Sequence, residues 1–389
     1  MSSQTKLPRF PPRKARTSSR LINVVIKLLT DFFPFGDPLP ARTTYTLKDL
    51  CKLLVLTSIL RTSLSQKSRD LRERLKDIPS GESVLRWFRG LKIKALEEYH
   101  ELASQDFLNA LPAPFQKVRK KGMTLVVDTH SDPSYSRKKS EYIGKGRKKA
   151  SSKRNWKYIT LIWSNAPEPI TLAVKLIKRP YQVYPITRTL LEPWLETERV
   201  TCFFADGEFY VWDLVTWLKS YHLNFVIRGK MTTSAYGLAN WYKERISRPG
   251  TGIVEDYYMT RQKTGEFCKV KLVLWRRKKA LLCFIIPPES ILTAKEVKKL
   301  YRKRFIIETY YRMMHRFQPF SCSQHPVIRY ILVCLAFWMC NLWNYFKYPL
   351  NILKTTSKKV RADKTYTANT FCESIIESWH ISIHRGRKG

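Results

Sequence analysis

Leu300-Tyr-Arg-Lys-Arg-Phe-Ile-Ile-Glu-Thr-Tyr-Tyr-Arg-Met-Met-His-Arg-Phe317 is the stretch on which the fold turns. Leu300, Ile306, Ile307, Tyr310, Met313, Met314 and Phe317 recur at the spacing of one buried helical face, which predicts a helix over 295–317. At about 100° per residue, Tyr301, Arg304, Glu308, Arg312 and His315 share the opposite stripe, within an arc of about 80°. Such a helix buries one side and presents a carboxylate among cations on the other. Two more acids close apolar runs upstream, Asp128 after Met123-Thr-Leu-Val-Val127 and Asp206 after Val200-Thr-Cys-Phe-Phe-Ala205. Brought together from three separated elements, these acids would hold divalent ions of the kind used to cut or join nucleic acid.

Around that helix the chain reads as an α/β protein. Apolar runs at 123–128, 156–163 and 170–176 predict three successive strands. A helix over 186–197, a strand at 200–206, a helix at 208–220 and a strand at 224–228 follow. Three strands, helix, strand, helix, strand is the order of a ribonuclease H-like domain, whose last helix would be the one at 295–317. Before it lie β-rich runs at 252–260, 267–275 and 280–286, closed by Pro287-Pro288, because proline cannot continue a ladder. The expected division is a catalytic domain over 119–232 and 290–350, with a β-rich insertion over 233–289.

Ahead of the strands, residues 43–118 read as an all-helical DNA-binding domain. Ser80 can cap a helix in which Val84, Trp87, Phe88 and Leu91 form one face and Arg86, Arg89 and Lys92 stand outside. The pattern is that of a helix-turn-helix whose second helix enters a major groove, with Arg86 and Arg89 on the DNA. An ordinary amphipathic helix with a solvated basic face fits the same residues as well. Residues 1–42, with Lys6, Arg9, Arg13, Lys14, Arg16 and Arg20 among prolines, read as a flexible basic arm, and 351–389 as a basic C-terminal tail.

The 389 residues hold 71 Lys and Arg against 31 Asp and Glu, a formal charge of +40, and are 44% hydrophobic. A folded chain with that excess calls for a polyanion, and double-stranded DNA is the expected partner. No membrane association is expected: the N-terminus has no apolar signal segment, and the apolar stretch Tyr330–Trp343 is shorter than the roughly 20 residues a bilayer needs and reads as a core helix. The eight cysteines show no CxxC pair, which points to reduced thiols in a cytoplasmic protein. His380 and His384, with Cys372, form a weak metal pattern that a basic tail explains equally well.

Mg²⁺ or Mn²⁺, as a pair of ions, suits three carboxylates, and Asp128, Asp206 and Glu308 are the expected catalytic and metal-holding residues. Asp132 and Glu208 are neighbouring acids that could replace one of them. Tyr301 and Arg304 would grip the phosphate beside the scissile one, and Arg312 and His315 would extend that grip. Between Ser134 and Lys157, ten Lys or Arg stand with the single acid Glu141, as expected of a hairpin lying on DNA, with Tyr135, Tyr142 and Trp156 either stacking on bases or anchoring it. Trp275, followed by Arg276-Arg277-Lys278-Lys279, is the candidate for supporting a flipped base.

These residues resemble the IS4-type DDE transposases of prokaryotic insertion sequences. That family's marker, Tyr, two residues, Arg, three residues, Glu, six residues, Lys, reads here Tyr301, Arg304, Glu308 and then His315 in place of lysine. Val127-Asp128-Thr-His-Ser-Asp-Pro-Ser-Tyr135 and Ala205-Asp206-Gly-Glu-Phe-Tyr210 provide family-like contexts for the two aspartates. The resemblance covers about 120–345. It implies cut-and-paste transposition by a nucleoid-associated homodimer acting on paired terminal inverted repeats and on target DNA. A nick, a hairpin intermediate and strand transfer would follow one another. A domesticated or inactive DNA-binding descendant and a ribonuclease H-like nuclease without strand transfer are the alternatives.

Overall fold

The computed structural model describes residues 20–36, 38–75, 77–136, 140–149, 152–230, 246, 248–261, 264–278, 281–356 and 367–386. The basic residues before Arg20, the 231–245 part of the expected insertion and the side chains of His380 and His384 lie outside the described residues.

Helices come first: α1 (Arg20–Asp31), α2 (Leu47–Leu60), α3 (Leu64–Arg72), α4 (Gly81–Arg89), α5 (Ile93–Ala110) and α6 (Ala113–Lys121). Their starts follow local chemistry. Thr46 and Asp49 form a reciprocal capping box on α2, and the Ser80 hydroxyl accepts from the Ser83 amide at 3.0 Å to cap α4. The α3–α4 pair packs closely at Gly81, where an added Cβ would sit 2.5 Å from the Ser65 Cα. Val84 and Phe88 are buried while Arg86 and Arg89 are exposed, as the spacing predicts.

The strands are β1 (Met123–Pro133), β2 (Ile143–Lys149), β3 (Ser152–Trp163), β4 (Ile170–Leu176), β5 (Val200–Ala205), β6 (Asn224–Arg228), β7 (Gly252–Thr260), β8 (Phe267–Arg276) and β9 (Leu281–Ile286). They form one nine-stranded, mostly antiparallel sheet in the order β2-β3-β1-β5-β6-β9-β8-β7, with β4 also paired to β3. Only the β1–β5 and β5–β6 pairs among these are parallel. Helix α7 (Val183–Thr197) connects β4 to β5, and α8 (Trp212–Ser220) connects β5 to β6.

Three expectations change here. The β-rich run is continuous with the central sheet, because Ile227 pairs with Ile285 and Arg228 with Phe284, giving β6 a neighbour where it would otherwise be an open edge. The second half of the arm is not flexible: in α1 and the turn after it, Leu21, Val25, Leu28, Leu29 and Phe35 are buried. In the expected tail, helix α12 (Ala368–Gly386) buries Phe371, Cys372 and Ile375, packs on α1, and its Ser378 hydroxyl accepts from the Ile22 amide at 3.2 Å. Both segments carry apolar residues at helical spacing that their net charge hides.

The predicted final helix is broken. Helix α9 (Ala294–Arg302) tightens into a 3₁₀ turn at Lys303–Phe305 before α10 (Ile306–Phe317) begins. A 3₁₀ turn advances each residue by about 120° instead of 100°, so α9 and α10 are offset from one regular helix; Tyr301 and Arg304 are buried and Glu308 is exposed.

Helix α11 (Pro326–Thr356) is, over Pro326–Lys347, long and apolar enough to cross a membrane. It is 89% buried there, wedged between β4 and helices α2, α4 and α5, so it is a core helix, longer than the sequence pattern indicates. Asn341 explains its polar interruption: the Asn341 amide accepts from the Thr171 backbone N–H at 2.8 Å and donates to the Thr171 carbonyl at 2.9 Å, pinning β4.

Candidate active site

β1 does not stop at Asp128. Asp128 sits mid-strand opposite Thr160 of β3, and the alternation of a strand places His130 and Asp132 on the same face. On the parallel side Val126 aligns with Phe204, so Asp128 and Asp206 each lie two residues further along neighbouring strands. Beyond β5, Asp206 accepts from the Glu208 amide at 2.9 Å and so starts the short turn that follows.

Arg304 binds these elements to α10. Its Nη1 donates to Asp128 Oδ2 at 2.7 Å and its Nη2 to Glu308 Oε1 at 3.2 Å. Arg304 and Asp128 are buried, whereas the Glu308 side chain is 51% exposed. Burial pushes the Asp128 carboxyl up to about 6, with Arg304 opposing the shift and the charge of Asp206 adding to it. The Arg304 guanidinium feels Tyr301, Asp128, Asp206 and Glu308, which together outweigh its burial and raise its pKa. Asp128 and Glu308 therefore pair with one cation, and the charge of Asp206 acts on it from the next strand.

Tyr301 lies behind that cation. Its ring is 4.8 Å from the Phe284 ring, and the Arg304 guanidinium sits 5.4 Å from its centroid. The expected phosphate contacts of Tyr301 and Arg304 are thereby corrected: both are buried, at 6% and 7% exposure, and face protein groups. Trp275 is corrected too. It is buried in β8 with the Lys298 ammonium 4.1 Å from its ring, which leaves no face for a base. Trp156 is buried and anchors the β2–β3 hairpin, while Tyr135 is exposed. Arg312 and His315 project from α10, with the Arg312 guanidinium donating to Thr309 at 3.1 Å.

The two alternative acids are occupied elsewhere. Glu208 accepts from Thr129 at 3.0 Å and from Lys157 and Tyr181, on the face of β1 opposite Asp128. Burial of Glu208 is outweighed by the Lys157 and Tyr181 bonds, so its carboxyl stays below the usual range. Asp132 lies 2.7 Å from His130 Nε2 and accepts from Gln318 at 2.7 Å. Sequence reasoning missed His130, Gln318 and Tyr311, whose hydroxyl meets Thr160 at 2.6 Å. The signal for His130 was the two-residue period continued past Asp128.

Beside the acids a cavity of about 570 Å³ is lined by Arg61, Asp132, Tyr135, His315, Phe320 and Arg329, among others. Arg61 ends α2 in the left-handed region, at φ 52°. His325, next to the loop that walls this cavity, is held below its usual pKa by burial and by the charge of Arg89, which places the basic end of α4 nearby.

Residues 119–324 match the family described as the transposase DDE domain. The chain belongs to the DDE transposase family. As a transposase it cleaves DNA and transfers strands, and domains of this family use divalent metal ions. Its fold is similar to that of a piggyBac transposase, solved by cryo-EM as a synaptic complex with hairpin DNA, at a TM-score of 0.55. The alignment covers 98% of this chain and 84% of that one at 15% identity, a likeness of fold. Among curated proteins none matches.

Proposed function

We propose that this transposase moves an insertion sequence of the IS4 type by cut-and-paste transposition, with Asp128, Asp206 and Glu308 as the acids that hold two Mg²⁺ or Mn²⁺ ions in a ribonuclease H-like core. The strand order β4-β3-β1-β5-β6, with β1, β5 and β6 mutually parallel, supports that core. The observation that carries the reading is the Arg304 fork, which links a buried aspartate on β1 to a glutamate on α10 while Asp206 stands one strand away.

The residues fit such ions. Carboxylate oxygens are the donors that Mg²⁺ and Mn²⁺ take, and a buried Asp128 whose ionisation is opposed by burial and by Asp206 is stabilised by a divalent cation. When bound, the ions supply charge neutralisation at the attacking and leaving oxygens of a phosphoryl transfer. Arg304 orients Asp128 and Glu308, and Tyr301 packs against Arg304 to hold it there. Arg61 and Arg329 supply charge for the DNA backbone along the cavity beside His315, Arg312 adds to it from the exposed side of α10, and Arg86 and Arg89 carry further charge on α4.

A hairpin route and a homodimer on paired, inverted-repeat ends belong to the same reading; the piggyBac assembly of similar fold was solved with hairpin DNA. The test is to incubate the purified chain and Mg²⁺ with a duplex carrying the DNA that flanks its gene, and to resolve the products on a denaturing gel. End cleavage followed by joining to a target plasmid is expected, and Asp128→Asn should abolish both. Cleavage without joined product would indicate a nuclease, and cleavage unaffected by Asp128→Asn would remove that residue from the site.

A further inference from the structure

We propose that His130, Asp132 and His315 form a second metal site, separate from the three acids, that takes a divalent transition ion such as Zn²⁺ or Co²⁺ and ties β1 to α10. One ligand atom from each residue lies within 4.8 Å of the others. His130 Nε2 stands 2.7 Å from Asp132 Oδ1, and the His130 and His315 rings are 4.8 Å apart at 60°. Nitrogen and oxygen ligands on a common ion at about 2.1 Å are themselves roughly 3 Å apart, so small side-chain shifts close the site.

The surroundings are those of a supported ligand set. Gln318 donates from Nε2 to Asp132 Oδ2 at 2.7 Å and offers Oε1 to His315 Nδ1 at 2.9 Å, so one amide orients two of the three ligands. His130 is held between the Tyr158 and Tyr311 rings, at 6.5 and 4.8 Å.

Two imidazoles and one carboxylate favour a borderline transition ion, whereas three carboxylates favour Mg²⁺ or Mn²⁺, so ion identity separates the two sites. Three protein ligands leave at least one coordination position open. Asp132 and His315 both line the 570 Å³ cavity, which places that position on the same space as Arg61 and Arg329. With two neutral imidazoles and one carboxylate, the bound ion leaves a single net positive charge there.

The full-length chain, freed of metal and then kept in a large excess of Mg²⁺ to fill carboxylate-only sites, is titrated with Co²⁺ and followed by visible absorption. One Co²⁺ per chain is expected, with a band that an equivalent of Zn²⁺ removes. His315→Ala, on the surface of α10, is expected to weaken Co²⁺ binding at least about tenfold while leaving the circular dichroism unchanged. Asp132→Asn should do the same. Absence of the band in the parent chain, or Co²⁺ affinity unchanged in His315→Ala, would overturn the site. Neither result bears on the three acids, because Mg²⁺ occupies them throughout.

Discussion

Single residues in this transposase often serve two demands at once. Asp128 is the clearest case. In the folded, metal-free chain it titrates near 6, against about 4 when unfolded, so the native state binds that proton more tightly. Protonation therefore favours folding, and stability contributed by this group falls as pH rises from about 4 to about 6, by up to about 3 kcal/mol. Urea denaturation in EDTA across that window should show the decline, and Asp128→Asn should flatten it. Arg61 shows a related tension. A non-glycine residue in the left-handed region costs roughly 1 kcal/mol, so Arg61→Gly should raise the melting temperature while weakening DNA binding in a filter assay. Should the variant bind DNA as well as the parent, Arg61 has no place on the backbone path. At position 315, lysine would bring a charge that persists above pH 7, and His315→Lys is expected to retain or increase end cleavage there. The three acids and Arg304 could be picked out from residue type and spacing. That Arg304 and Tyr301 are buried could not, because a buried guanidinium depends on a partner from another element, Asp128 of β1, which the period of the helix does not show.

At the scale of elements, the strands near β1 were legible because their apolar runs end in turn residues, and α4 because a capping serine precedes a regular period. The length of β1 was hidden: Asp128, His130 and Asp132 break the apolar run, and only the partner strand β3 shows that the ladder continues through Pro133. Helix α11 is similar in kind, since an asparagine inside an apolar helix looks like an end until its partners are known. Asn341 meets both backbone groups of Thr171 and accepts from the Tyr310 hydroxyl at 2.5 Å. Asn341→Leu would leave these buried groups unpaired, and a loss of about 2–4 kcal/mol is expected in chemical denaturation. A loss below about 1 kcal/mol would mean that water or a neighbour substitutes for the amide. Gly81→Ala should also destabilise, by about 1–3 kcal/mol, because the new methyl meets the backbone of Ser65.

Across the whole molecule, one apolar core runs from Leu21 in α1 through the sheet and α11 to Ile375 in α12. Charge statistics concealed this, since basic residues dominate both ends of the chain and read as arms. Deleting residues 368–389 should therefore lower the melting temperature and shorten the life of the protein in limited proteolysis, whereas removal of a loose tail would leave both unchanged. Helix α11 is packed by α10, β4, α4, α2 and α5. Helix α4, which bears both Arg86 and Arg89, thus packs on the same core helix as α10, which carries Glu308. Removing the N-terminal helices would strip α11 bare, so whether this region touches DNA has to be asked by changing exposed side chains of α4 and not by cutting the region away.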